Sequence, residues 1–147
     1  MLFRSQVLVE LVRSCDWAAG VVLVNGHGGN HDAITNAQRI SSHEGRRVLT
    51  WSPRTDDPCD THAGHTETSV LLALAPQKVD MQRAVVGCTR PLSEIIHEMR
   101  RGGVKAVSSN GVLGDPTAAN ADDGRSIVER WTTELTHAIE QWLGVSS

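Results

Sequence analysis

Val21-Val22-Leu23-Val24 is an unbroken apolar run that ends abruptly in Asn25-Gly26-His27-Gly28-Gly29-Asn30. A run this short, mostly β-branched and without polar alternation, suits a strand covered on both faces, as in parallel sheets. Apolar positions then return at helical spacing through residues 31–44, at Ala33, Ile34, Ala37 and Ile40, and Val48-Leu49-Thr50-Trp51 reads as another strand. Strand, helix and strand in this order predict an α/β fold: a layered, parallel-type sheet with helices on both faces. A helix over residues 4–19, with Val7, Leu8, Leu11 and Val12 as its apolar positions, precedes the first strand.

The rest of the chain continues the alternation less clearly. Residues 52–65 are rich in Pro, Asp, Thr, His and Gly and read as a loop. Thr66 to Ala75 reads as a helix that Pro76 stops, since proline lacks the amide the next turn needs. Arg83 to Cys88 is a candidate strand, Ser93 to Arg101 a short helix, and residues 102–120 a stretch of turn signals. A last helix, capped by Asp122 or Asp123, carries the apolar stripe Ile127, Val128, Trp131, Leu135, Ile139 and Leu143. No repeat or linker interrupts the sequence, so residues 1–147 are expected to form a single domain. Few strands, behind an opening helix, also predict a sheet whose remaining strands lie upstream.

Composition removes several function classes. Aromatic residues are 3% of the chain, too few for a base-stacking platform, and the formal charge of −3 comes without a basic cluster for a phosphate backbone. Nucleic acid is therefore not an expected partner. No apolar stretch approaches a membrane span, and Arg4, Glu10 and Arg13 interrupt the N-terminal segment where a signal peptide would be apolar. Cys15, Cys59 and Cys88 are odd in number and lack a C-x-x-C pair, which fits reduced thiols in the cytoplasm.

The candidate chemistry sits where open α/β sheets bind ligands, beyond the carboxyl ends of the strands. His27 falls there among Gly26, Gly28 and Gly29, which leave room beside the imidazole, and Asn30 or Asp32 can cap the following helix. Alone, such a histidine is equally a packing or turn residue. A nucleotide loop fits poorly: Gly26 and Gly28 supply G-x-G, but the third glycine position is His31, and the loop has no lysine. A serine hydrolase has no G-x-S-x-G elbow here. The second cluster is DTHAGHTETS, residues 60–69, which gathers Asp60, His62, His65 and Glu67 at a loop-to-helix junction. Imidazole with carboxylate suits a divalent transition metal. Glu67 in a first helical turn is also where an acidic residue sits merely to oppose the helix dipole.

The blocks VNGHGGN, HAGHTETS followed by LLALAP, and GVLGDPTAANADDGR, in this order, resemble the creatininase family of metal-dependent amidohydrolases, from about residue 5 to the last helix. HAGHTETS is especially similar to the branch associated with the mycofactocin system, which trims a modified precursor peptide. The resemblance implies a creatininase-like fold and a centre of one or two divalent metals, zinc foremost with iron or manganese as alternatives. It implies hydrolysis of a C–N bond in a small amide or peptide substrate, and assembly as a homo-oligomer. It assigns His27 as a metal ligand, His62 to proton transfer, and Glu67 as a catalytic carboxylate and metal ligand. Gly114 to Pro116 would be structural or oligomer-related.

The sequence departs from creatininase itself in two ways. Gly29 stands where a ligand glutamate follows the N-G-H histidine, and Pro58 lies in the region where a tryptophan precedes the catalytic histidine segment. Both point away from creatinine as substrate. The family's first metal motif, E-x-H followed by aspartate, lies upstream of the matching region, and no E-x-H occurs in this sequence. The expectation is thus an N-terminally truncated family member carrying part of a metal site. His31, His43, His97 and His137 are expected to be surface or helix-face residues. The opposing expectations are a catalytically inactive member that keeps the fold and oligomer contacts and, less favoured, a nucleotide-binding α/β domain.

Overall fold

The computed structural model describes residues 2–145. The chain divides into two compact units: Met1–Pro53 with Thr133–Ser147, and Arg54–Thr132.

The first unit is built on a βαβ crossover. Strands β1 (Val21–Val24) and β2 (Val48–Trp51) pair in parallel, with Val21 opposite Val48 and Val24 opposite Trp51. Both occupy the apolar runs seen in the sequence. Helix α2 (His31–His43) connects them and packs on α1 (Leu2–Arg13). The contact uses small side chains: Ser5, Val9 and Val12 on α1, and Ala33, Ala37 and Ser41 on α2, are all buried. Spacings of three and four residues put each set on one helix face, and small residues let the two axes approach closely.

This alters the expected face of α1. Val7 and Leu11 are about half exposed, and the buried row runs through Ser5 and Val9 instead. The helix also ends at Arg13 rather than near residue 19. The Ser14 hydroxyl donates to the Leu11 carbonyl at 2.7 Å, and Ala18 N turns back to Cys15 O. Such local side-chain bonding competes with helix continuation. A charged lattice closes the surface here: Arg13 bonds both Glu10 and Glu44, and Arg46 bridges Glu44 and Asp16 at 2.9 Å each. The bond from Arg13 holds the Glu44 carboxyl below the usual range for a glutamate. In the same unit, Arg47 lies 4.8 Å over the Trp142 ring and donates to the Trp142 carbonyl at 2.6 Å.

The second unit contains α3 (His65–Leu74), α4 (Leu92–Gly102) and the start of α5 (Ala121–Leu143) around the buried Ile95, Leu113 and Ala119. The expected strand at 83–88 does not form. Met81–Arg83 is a 3-10 turn, and the backbone bonds across are those of Gly87 N to Gly114 O and Cys88 N to Val112 O, beside one from the Asn110 side chain to Val86 O. Two bonds hold that segment beside 112–114 without making a ladder. Asp122 and Asp123 do not cap α5: the Asn120 side chain accepts from Asp123 N at 2.9 Å. Along α5 the expected apolar stripe is half-buried through Ile139, whereas Leu143 is exposed.

Candidate active site

The loop after β1 presents His27 to solvent. Its backbone is extended (φ −144°, ψ 121°), its N–H donates to Asn25 Oδ1 at 3.2 Å, and its carbonyl accepts from Asn30 N at 3.0 Å. Asn25 thereby organises the loop: its Oδ1 also takes Asn30 Nδ2 at 3.4 Å, while its own amide reaches Ser52 Oγ at the end of β2. Asn30 is consequently spent on Asn25 and does not cap α2 with its side chain, contrary to expectation. The glycines also act differently from one another. None of the three adopts a left-handed φ, and open space surrounds Gly26 and Gly28. Only Gly29 has a spatial reason, because a Cβ there would sit 2.8 Å from His27 Nε2. Gly29 is the bed on which the imidazole lies.

In the second unit, residues 60–67 form a tight turn into α3. Asp60 is buried and its Oδ2 accepts from Thr66 N at 2.7 Å and Thr66 Oγ1 at 2.5 Å. This caps the first turn of α3 from outside it, since Gly64 at the N-cap has no side chain to offer. The same carboxylate lies against Gly64 and Gly114, whose Cα atoms face each other; a Cβ on Gly114 would be 3.0 Å from Gly64 Cα. His62 and Leu113 exchange backbone bonds, Leu113 N to His62 O at 2.8 Å and His62 N to Leu113 O at 3.1 Å. The HAGH and LGDP blocks are therefore two sides of one turn, which explains the glycine in each.

The turn brings His62 and Glu67 together. His62 Nδ1 lies 3.4 Å from Glu67 Oε2, and the same oxygen accepts from Ala63 N at 2.7 Å. Ala63 pays for this geometry with φ +52°, a left-handed conformation costing a non-glycine residue roughly 1 kcal/mol. Glu67 Oε1 takes no hydrogen bond among the described residues, and both side chains are about half exposed. One oxygen is thus fixed toward the imidazole and the other is open.

His65 is used structurally. Its Nε2 faces Asp123 Oδ2 at 3.1 Å and Ser69 Oγ at 3.5 Å, and Asn120 joins both partners. Serine and aspartate meet the same ring nitrogen, so the trio is a clamp between α3 and α5 and not a relay. Gly124 lies against the Ser69 carbonyl with no room for a Cβ, and this close crossing accounts for the glycine in the ADDGR segment. Asp115 accepts from Thr117 N and Oγ1, and those bonds hold its carboxyl below the usual range. Gly114 packs against Asp60 and Gly64 and its carbonyl accepts from Gly87 N, so this segment has contacts within the chain.

The creatininase profile, described as creatinine amidohydrolase, matches residues 5–139. The chain belongs to the creatininase family. Among curated relatives, this creatininase-family chain is 46% identical over 140 residues to a mycofactocin precursor peptide peptidase of Mycobacterium tuberculosis. It is 44% identical over 137 residues to the protein of the same name from Mycolicibacterium smegmatis. Those alignments cover 95% and 92% of the chain but 55% of each relative, so the chain spans about half the length of the relatives it matches. Solved structures agree on the fold. A crystal structure of creatinine amidohydrolase superposes with a TM-score of 0.74 at 23% identity, covering 95% of this chain and 62% of that one. A creatinine amidohydrolase-like protein from Bacteroides fragilis gives 0.71 at 19% identity, covering 94% and 60%. The creatininase-like α/β architecture read from the sequence is therefore the fold of this chain.

Of the residues expected in the site, the structure pairs His62 with Glu67, while His27 belongs to the other compact unit. Among the described residues no group of three or more His, Cys, Asp or Glu forms that could hold a metal ion. Two contributors were not legible beforehand. Asp60 was visible as an acidic residue near the histidines, but its burial under Thr66 was not. Ala63 gave no signal, since alanine is a residue that ordinarily avoids a left-handed conformation.

Proposed function

We propose that this chain carries part of the active site of a metal-dependent amidohydrolase that hydrolyses a C–N bond, trimming a modified precursor peptide. The observation that carries the reading is the His62–Glu67 pair on the turn that also contains Ala63, in a chain closely similar to mycofactocin precursor peptide peptidases. With Nδ1 directed at the carboxylate, the His62 nitrogen left for a substrate is Nε2. A carboxylate at ion-pair distance from one ring nitrogen orients the other toward a substrate, which suits His62 to passing a proton to a departing amine. Ala63 N–H holds Glu67 in place for that task.

His27 in the first unit and Glu67 in the second, through its open Oε1, are each a donor of the kind a divalent ion takes, and zinc is the favoured ion; a related creatininase is described as a Zn–Zn type. These donors fit a metal in kind, and two of them fall short of the three protein ligands that a catalytic zinc usually takes. The same shortfall supports a second reading, in which the 147-residue chain keeps the fold without turnover. The remaining parts of the proposal are a cytoplasmic location, in keeping with three free cysteines, assembly as a homo-oligomer, and one catalytic domain spanning the chain. Among the described residues no helix is long and apolar enough to cross a membrane.

The test is metal content by mass spectrometry and peptide cleavage by liquid chromatography, for the chain and for His27→Ala, His62→Ala and Glu67→Gln. Loss of a positioned acid–base group should lower cleavage by about 10²–10⁴ in His62→Ala. Cleavage untouched by either His62→Ala or Glu67→Gln would overturn the assignment. Absence of turnover with substoichiometric metal in the unaltered chain would establish the second reading.

A further inference from the structure

A cleft of about 330 Å³ opens beside Glu67 in the second unit. Its walls are apolar at Leu71, Val79, Met81 and Val85, and two cations, Lys78 and Arg83, stand along it. Each cation closes its own 3-10 turn, Pro76–Lys78 and Met81–Arg83, so short rigid turns set where both side chains begin. Neither makes a side-chain hydrogen bond or ion pair among the described residues, although Asp80 lines the same cleft. Asp80 is instead turned to its own backbone, accepting from Gln82 N at 3.1 Å. Glu67 is likewise held by Ala63 N–H. Each carboxylate in this cleft thus has one oxygen tied to nearby backbone and neither pairs with Lys78 or Arg83, so these two cations are left without partners among the described residues.

We infer that this cleft is a substrate subsite that binds a carboxylate-bearing apolar peptide segment, with Lys78 and Arg83 taking the carboxylate. The inference rests on the amidohydrolase reading, because it places the segment next to Glu67. The volume lies at the lower end for ligand pockets and suits one or two residues. An arginine and a lysine lining one cleft suit a carboxylate through charge-assisted hydrogen bonds, and the apolar walls match its hydrocarbon neighbours. The carboxylate has two sources, an acidic side chain or a free C-terminus, and the chemistry of recognition is shared.

Fluorescence anisotropy of three labelled apolar hexapeptides with this chain distinguishes them: one with an internal Asp and an amidated end, one with no acid and a free end, and one with neither. One or both carboxylate peptides should bind about tenfold tighter than the neutral one, an advantage that shrinks in high salt. Lys78→Glu/Arg83→Glu should abolish that preference and favour a lysine-bearing peptide; both residues are exposed, so the double variant should fold. Equal binding of all three peptides, no binding at all, or a preference that survives charge reversal would overturn the subsite. Binding is read without turnover. Selective binding without cleavage would sink only the amidohydrolase reading, and cleavage without selectivity would sink only the subsite.

Discussion

Asp60 offers the sharpest test of how the site turn is held. Its carboxylate accepts two bonds from Thr66, at 2.7 and 2.5 Å, and packs against Gly64 and Gly114 from a buried position. Hydrogen bonds to a charged group are worth about 1.5–3 kcal/mol each. One of these two bonds, from Thr66 N, is also the cap of the first turn of α3, so the loss of the cap is already contained in that sum. Against this stands the desolvation cost of a buried carboxylate, several kcal/mol, which Asp60→Ala relieves. The expected net loss for Asp60→Ala is therefore roughly 2–4 kcal/mol, near the upper end for single substitutions. Asp60→Asn keeps the shape and one acceptor and should lose about half as much. Thr66→Val removes only the hydroxyl bond and should couple with Asp60→Asn in a double-mutant cycle. Urea unfolding followed by circular dichroism gives these values. An Asp60→Ala chain within about 0.5 kcal/mol of the unaltered one would refute the assignment of Asp60 as the clamp, since ordinary surface changes fall in that range.

Four further outcomes are expected. Ala63→Gly should be neutral to stabilising by up to about 1 kcal/mol, because it removes left-handed strain at some cost in unfolded-chain entropy; a loss beyond 1 kcal/mol by urea unfolding would contradict the strain. Gly29→Ala should displace the His27 ring, since its Cβ would sit 2.8 Å from Nε2, and unchanged His27 imidazole NMR shifts would argue otherwise. Glu44, lowered below its ordinary 4.5 by Arg13, adds stability that is fully present above that pH and is lost as pH falls through the lowered value. Glu44→Gln should then flatten the acid limb of a stability–pH curve, and an unchanged limb would refute the linkage. Partial burial, then Asp57, pushes the Cys59 thiol up, so its alkylation at pH 8 should be slow and should quicken in Asp57→Asn; identical rates would oppose this.

The sequence by itself determined the local order. The apolar runs 21–24 and 48–51 became β1 and β2 at the expected residues, because short β-branched segments bounded by glycine and a helix have few alternatives. Three ordered motifs also determined the family. Tertiary structure decided what periodicity cannot express. Which face of α1 is buried depended on the small residues of α2 opposite it, not on where α1 is most apolar. Residues 83–88 look like a strand, yet Gly87 and Cys88 meet 112–114 with one backbone bond each and no ladder. The roles of Asp60 and Ala63 arise because the chain folds 113–114 back onto 60–64, a contact between segments some fifty residues apart that no local pattern encodes. That return contact places Ala63 and so the Ala63 N–H to Glu67 bond beside His62: the residue types are local to the sequence, and their approach is settled by packing.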